Sequence, residues 1–424
     1  MTNDNIRHKS LRLRIYPNKS QEILINKTFG CCRLIYNLHL EERLNYYEQN
    51  VKSIKDKSER IRILKLFKPK TEKEWKEDYP FMKEVSAVSL SQSKMNCDNA
   101  FQNFFSKKKG FPKFKSKKNN HQSYREVQVK LEHLDFDNQR IQIPKLKSVV
   151  FRNKDKPKWF NQIQELKSIT IEKTPSGKYF AVCTFEIENK IYPIQNRKDS
   201  IGLDFSPELC YVDSDGNNAK DNFGYVAQKQ VHHKQLRKYR RQLARKTKGS
   251  KNREKARIKL ARMEEHVANC RKDWIEKETL RLVRSYDKVV VEDLNLIGIS
   301  AFLRNAKNMN DTSWGTFVSR LQLKGQDYNC SVIKADRYFP SSQLCSNCGY
   351  QYHELKLSER KWTCPQEGQV HIRDVNAAIN LKNYVPKELR ESMPVEDIDA
   401  LASLALANAE YPMKQESHLS LVSA

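Results

Sequence analysis

The pattern Cys345-x2-Cys348, fifteen residues, Cys364-x2-Glu367 constrains this chain more than any other stretch. Two paired turns at that separation have the ligand spacing of a two-knuckle zinc site, where four donors surround the ion tetrahedrally. Glu367 stands where a fourth cysteine is expected. A glutamate oxygen can ligate zinc, and His353 or His371 can swing in instead. Three thiolates and a carboxylate should bind more weakly than four thiolates. The plain alternative is a metal-free knuckle held by packing around residues such as Trp362. Ten residues beyond Cys364, Asp374 opens the helix-forming run "DVNAAINL".

Two more acids stand where a sheet-based nuclease needs them. Asp204 interrupts the apolar strand "IGLDF", a place where a carboxylate is rarely left unpaired. Glu292 ends "KVVVE", at the carboxyl edge where α/β folds put their chemistry. Singly, each has a bland reading: a hydrogen-bonded strand aspartate, a turn residue, a helix N-cap. Jointly they suit two Mg²⁺ ions roughly 3.5–4 Å apart, which activate a water and stabilise the leaving oxygen of a phosphodiester.

Charge supports that direction. Lys+Arg number 78 against 51 Asp+Glu, a formal +27, which implies a polyanionic partner, and nucleic acid is the commonest. No run approaches the roughly 20 apolar residues of a membrane span, and "MTNDNIRHKS" lacks the core of a signal peptide. A cytoplasmic, nucleoid-associated bacterial protein is expected, with no membrane partner. The other seven cysteines lie among apolar neighbours and read as buried, reduced thiols.

Along the chain, "KSLRLRIYP" alternates Leu11, Leu13 and Ile15 with arginines, a strand stopped by Pro17. Ser20 is the candidate cap of the following helix, and residues 85–105 read as another. The loop "SKKKGFPKFKSKKNNHQSYR" interleaves aromatics with Lys113, Lys115, Lys117 and Lys118, a mix that suits a nucleic-acid backbone with stackable bases. Short alternating runs from 126 to 190 suggest a small β-barrel completed by the first strand. From 201 on, strands alternate with helices, an α/β pattern.

The stretches "GLDFS", "VVVEDLNL", "SWGTFVSRL", "YFPSSQLCSNCGY", "WTCP" and "HIRDVNAAINL" resemble, in order, the RuvC-like nuclease half of TnpB proteins. These are RNA-guided DNA endonucleases of insertion-sequence transposons and apparent ancestors of type V CRISPR effectors. "LRIYPNKSQEILINKTFGCCRLIYN" and "AFQNFF…GFPKFKSKK…SYR" extend the resemblance over nearly all of the chain to about residue 384. By that resemblance Asp204, Glu292 and Asp374 match the first, second and third acidic motifs, and the zinc module sits just before the third. Glu367 departs from the family cysteine, and Ile372 from the aspartate usual after His371.

The resemblance implies a multi-domain α+β and α/β chain. Residues 1–17 with 121–196 would form the β-barrel, and 18–120 an inserted helical recognition module with the basic loop. Residues 197–336 with 371–384 would form a RuvC-like domain of RNase H fold, 337–370 the zinc knuckle, and 385–424 a tail disordered over its last dozen residues. It implies a chain that binds a guide RNA and target double-stranded DNA in a basic channel between the halves, where base pairing supplies specificity. A monomer is expected, with an oligomer left open. Ser91, Gln92, Tyr124 and Arg125 would read a short motif flanking the target. Arg373, beside Asp374, reads either as a phosphate contact or as a plain surface cation. Two Mg²⁺ and one Zn²⁺ are the expected cofactors. The alternatives are an RNA-guided DNA binder or repressor without cleavage, and a DNA-joining transposase that uses a similar acidic triad.

Overall fold

The computed structural model describes residues 6–386 except 119–120, 154, 193, 220–224, 296–312 and 357. The expected tail therefore lies, from 387 to 424, outside the described residues. The chain divides into two compact units, Met1–Asn189 with Arg257–Arg262, and Lys190–Ala256 with Met263–Ala424.

In the first unit the Leu/Arg alternation forms β1 (Ile6–Tyr16). Pro17 ends it, and Asn18, rather than Ser20, caps α1 (Lys19–Asn50): its Oδ1 accepts from the Gln21 N–H at 2.9 Å, and its own N–H donates to Gln21 Oε1 at 3.0 Å. That reciprocal pair satisfies two donors that a helix start otherwise leaves open. The lysine-rich stretch that follows forms α2 (Lys57–Lys65), which buries no side chain, and α3 (Glu72–Asp78), anchored by buried Trp75. Next comes α4 (Ala87–Phe105). Six strands then join β1: β2 (Gln122–Glu126), β3 (Leu134–Asp135), β4 (Arg140–Ile143), β5 (Lys147–Phe151), β6 (Ile163–Lys173) and β7 (Tyr179–Glu188).

The strand order is β2-β6-β7-β1-β5-β4-β3, antiparallel throughout, so the first strand completes the sheet as its alternation suggested. The expected barrel does not form. Among the described residues no pairing joins the edge strands β2 and β3, so the sheet is open. Two features explain this. Strand β3 has two residues, too few to carry a closing ladder, and β2 packs against α4. There Ser86 Oγ donates to Glu126 Oε2 at 3.0 Å and Ser89 Oγ to Oε1, so a helix covers the edge that a barrel would have paired. Leu13, Ile25, Ile35, Val149, Phe151 and Phe185 form the centre of the core between sheet and helices.

The second unit holds β8 (Lys198–Ser206), β9 (Cys210–Asp213), α5 (Tyr225–Ala244), α6 (Lys251–Ser285) apart from Arg257–Arg262, β10 (Tyr286–Glu292), α7 (Trp314–Tyr328), β11 (Ser331–Ala335), β12 (Lys361–Thr363), β13 (Val370–Ile372) and α8 (Arg373–Lys382). The strand order is β11-β10-β8-β9, with β8, β10 and β11 parallel and β9 antiparallel to β8. Val289, Val290 and Val291 are fully buried, as a parallel strand covered on both faces requires. Phe317 of α7 packs its ring against Trp274 of α6 at 5.8 Å and Tyr211 of β9 at 5.9 Å. Strands β12 and β13 pair as a separate antiparallel hairpin. Among the described residues no helix is long and apolar enough to cross a membrane.

Candidate functional site

Parallel register brings the first two acids together. Leu203 of β8 pairs with Val291 of β10, so the next residue on each strand, Asp204 and Glu292, shares one level and one face. Strands in a sheet run about 4.8 Å apart, which makes these carboxylates neighbours. The third comes from α8. A Cβ on Gly202 would lie 2.0 Å from Ala378 O and 2.4 Å from Lys382 N, so only glycine lets α8 approach β8 this closely. Asp204, two residues on, faces the same side as Gly202, and Asp374, one helical turn before Ala378, lies on the stretch of α8 that reaches it.

The electrostatics agree. Burial, then Glu292, then Asp374 push the Asp204 carboxyl well above its ordinary value, while Arg373 and Arg360 pull against that shift. Burial and Asp374 raise Glu292 as well, opposed by the Ser341 hydroxyl, which donates to Glu292 Oε1 at 2.9 Å. Arg373 Nε lies 3.2 Å from Asp374 Oδ1, and Arg360 Nη1 lies 3.4 Å from both of its oxygens. Three hard oxygen donors gathered at one point, with the charged forms of Asp204 and Glu292 disfavoured by burial and by their acidic neighbours, fit divalent Mg²⁺.

Sequence reading missed Ser341 and Arg360. It also missed Asn376 and Asn380, buried one turn apart on α8. Asn376 accepts from the Ser346 N–H at 2.9 Å and donates to Leu344 O at 2.6 Å; Asn380 donates to Ser341 O and Leu344 O, each at 2.8 Å. A polar pair spaced i, i+4 inside "DVNAAINL" was the available signal.

The knuckles repeat one backbone pattern. Cys345 N donates to Tyr350 O at 2.8 Å and Gly349 N to Cys345 O at 2.9 Å; Cys364 N donates to Gln369 O at 2.8 Å and Gly368 N to Cys364 O at 2.9 Å. Gly349 and Gly368 take φ of 76° and 73°, so the second turn keeps its shape despite Glu367. The ligand atoms of Cys345, Cys348, Cys364 and Glu367 all lie within 4.8 Å of one another. Cys348 and Cys364 sulfurs are 3.6 Å apart, near the separation of about 3.8 Å that two thiolates show on one tetrahedral zinc. Cys345 Sγ donates to Glu367 Oε1 at 2.8 Å and lies 3.0 Å from His371 Nε2, while burial and that carboxylate push its thiol up to about 12. The donor set fits zinc, with Glu367 inside the cluster and His371 beside Cys345. His353 is not among the clustered ligands.

In the first unit a cavity of about 590 Å³ is lined by Ser89, Ser93 and Asn96 of α4 together with Phe114, Tyr124 and Arg125. Ser91 and Gln92 are not among its lining residues. Tyr124 is 6% exposed and its ring packs edge-on to Phe29 at 5.6 Å. Lys113, Lys115, Lys117 and Lys118 are exposed. The Lys115 ammonium also lies 3.9 Å over the Tyr36 ring, and Asn37 bonds the Lys115 backbone in both directions at 2.8 and 3.0 Å.

Family models match three stretches: "Helix-turn-helix domain" over residues 5–52, "Probable transposase" over 184–301, and "Cas12f1-like, TNB domain" over 314–381. The first stretch is here one strand and the single helix α1. A Streptomyces pristinaespiralis protein named "Putative RNA-guided DNA endonuclease" is 31% identical over 377 residues, spanning 88% of each chain. InsQ of Escherichia coli K12, given the same description, is 28% identical over 393 residues, spanning 88% of this chain and 92% of its own. A solved Cas12f1 chain, from a complex with sgRNA and target DNA, shares the fold with a TM-score of 0.52 at 13% identity, covering 89% of this chain and 99% of that one. With a relative above 30% identity matched along most of both lengths, the chain belongs to the TnpB-like family of insertion-sequence transposons.

Proposed function

We propose that this chain is an RNA-guided DNA endonuclease that hydrolyses phosphodiesters at Asp204, Glu292 and Asp374. The observation that carries the proposal is the convergence of these three acids, from β8, β10 and α8, with carboxyl values raised at Asp204 and Glu292. Divalent cations held by the three would supply an activated water and neutralise charge on the departing oxygen. Ser341 orients Glu292 by donating to it and favours its charged form against the burial that opposes it. Arg360 and Arg373 hold Asp374 and offer guanidinium charge to a phosphate. Zinc held by Cys345, Cys348, Cys364 and Glu367 would brace the segment that leads into α8. Base pairing to the guide supplies sequence specificity, and the cavity beside Tyr124 and Arg125 is the candidate reader of a flanking motif.

The test is to express the protein with its native locus, sequence the RNA that copurifies, and offer DNA matching that RNA. Asp204→Ala, Glu292→Ala and Asp374→Ala should each abolish cutting and leave guided binding largely intact. Substantial Mg²⁺-dependent cutting by any of the three removes that residue from the site. The reading of a guided binder without cleavage, suggested by Glu367 and Ile372, predicts binding and no product from the unaltered chain. A transposase predicts joined DNA.

A further inference from the structure

We propose that the aromatic cluster at the C-terminal end of α4 is a stacking platform for unpaired bases of a nucleic-acid strand, with the phosphates of that strand on the surrounding lysines. This rests on the nucleic-acid reading above and adds which form of nucleic acid the loop takes.

The rings are assembled in advance. Phe101 is buried with Tyr36, Leu40 and Cys97 and ties the cluster to the helical module. The chain then folds back: Lys107 takes φ of 56°, and Lys108 N and Lys109 N donate to Asn103 O at 2.9 and 3.2 Å. Phe111 returns edge-on to Phe101 at 5.7 Å and to Phe104 at 5.1 Å. Phe105 lies 5.4 Å from Phe104 and nearly parallel to Phe101 at 6.3 Å. Buried Pro112 and the clamp of Asn37 on Lys115 fix the loop beyond. Despite this packing Phe105 is 67% exposed and Phe111 47% exposed. Large rings held rigidly in solvent mark a contact surface, and their fixed geometry lowers the ordering cost of binding.

Charge chooses the occupant. Between Asp98 and Glu126 the sequence has no acidic residue. Lys107, Lys108, Lys109, Lys113, Lys117 and Lys118 are exposed, and among the described residues none of them makes an ion pair. A second copy of a chain with formal charge +27 would be repelled. A nucleic-acid strand answers both features, with phosphates for the ammonium groups and base faces for the rings. A duplex keeps its bases stacked inside, so only unpaired bases can reach Phe105 and Phe111.

The experiment uses the full-length protein, a labelled unstructured 15-nucleotide RNA, and the same strand paired to its complement. Phe105→Ala should weaken single-strand binding roughly tenfold, leave duplex binding and the salt slope unchanged, and be rescued by Phe105→Trp. Neutralising Lys107, Lys108 and Lys109 to Gln should weaken both ligands and lower the single-strand log–log salt slope by about 0.7 for each phosphate no longer neutralised. A 5-bromouridine strand should photo-crosslink to Phe105 or Phe111, mapped by mass spectrometry. Unchanged single-strand affinity in Phe105→Ala, or crosslinks only elsewhere, overturns the platform even where the lysine variant loses affinity. If the lysine variant is also unaffected, the loop is not a nucleic-acid surface at all. Self-association abolished by Phe105→Ala would overturn the proposal in favour of a second copy.

Discussion

At Asp204 the fold keeps a carboxyl whose charged form is disfavoured by burial, Glu292 and Asp374. Because its folded-state value is raised, the penalty is absent below the unfolded value of about 3.9 and is complete once pH passes the folded value. Asp204→Asn should therefore raise Tm at pH 8 without metal and leave it unchanged at pH 4, while cutting falls by roughly three orders of magnitude or more. Equal Tm for variant and parent at pH 8 would show that the charge is not strained. Protons and Mg²⁺ compete for the same oxygens, so half-saturating Mg²⁺ in a cleavage titration should rise as pH falls from 8.5 to 6.5. Ser341→Ala removes the hydroxyl that opposes the rise at Glu292. Cleavage near neutrality should drop about tenfold, with the rising limb of the pH–rate profile moved to higher pH. The acids themselves were legible because each breaks an apolar run or opens a helix. Ser341 and Arg360 were not, since only tertiary approach gives them partners.

Helix α8 is the element on which the candidate site turns. Gly202→Ala would drive a methyl into the backbone of Ala378 and Lys382, so it should cost about 1–3 kcal/mol and nearly all cleavage. Gly30→Ala, with nothing within 4 Å, is the matched control, and thermal unfolding with a cleavage assay separates the two. The knuckle makes its own prediction. Purified protein should carry about one zinc by elemental analysis, Glu367→Cys should hold it more tightly against a chelator, and Cys345→Ser should lose both zinc and cutting. Retained cutting by a zinc-free Cys345→Ser would reduce the knuckle to packing. Knuckle spacing and helix α4 could be read in sequence because each is encoded locally. The open sheet could not: alternation marks a strand but not its neighbour, and the α4 seal on β2 depends on Ser86 and Ser89 meeting Glu126 across 40 and 37 residues.

On the scale of the whole molecule, +27 should make RNA affinity fall steeply with salt. Replacing Lys113, Lys117 and Lys118 with Gln should flatten that dependence. Lys115→Gln should instead lower Tm and leave the slope nearly unaltered, because its ammonium is committed to Tyr36. A slope insensitive to Lys113, Lys117 and Lys118 would make this stretch a bystander. The close approach of Gly202 to α8 also sets where this chain can tolerate changes in length. Between Asp374 and Ala378 one inserted residue would turn the carboxylate by about 100° around the helix axis, away from Asp204. Asn376 and Asn380 add a second tie, to Ser341, Leu344 and Ser346, so the same helix is held in register from the knuckle side as well. Relatives of this chain should therefore keep the number of helical residues from acid to glycine-facing turn invariant.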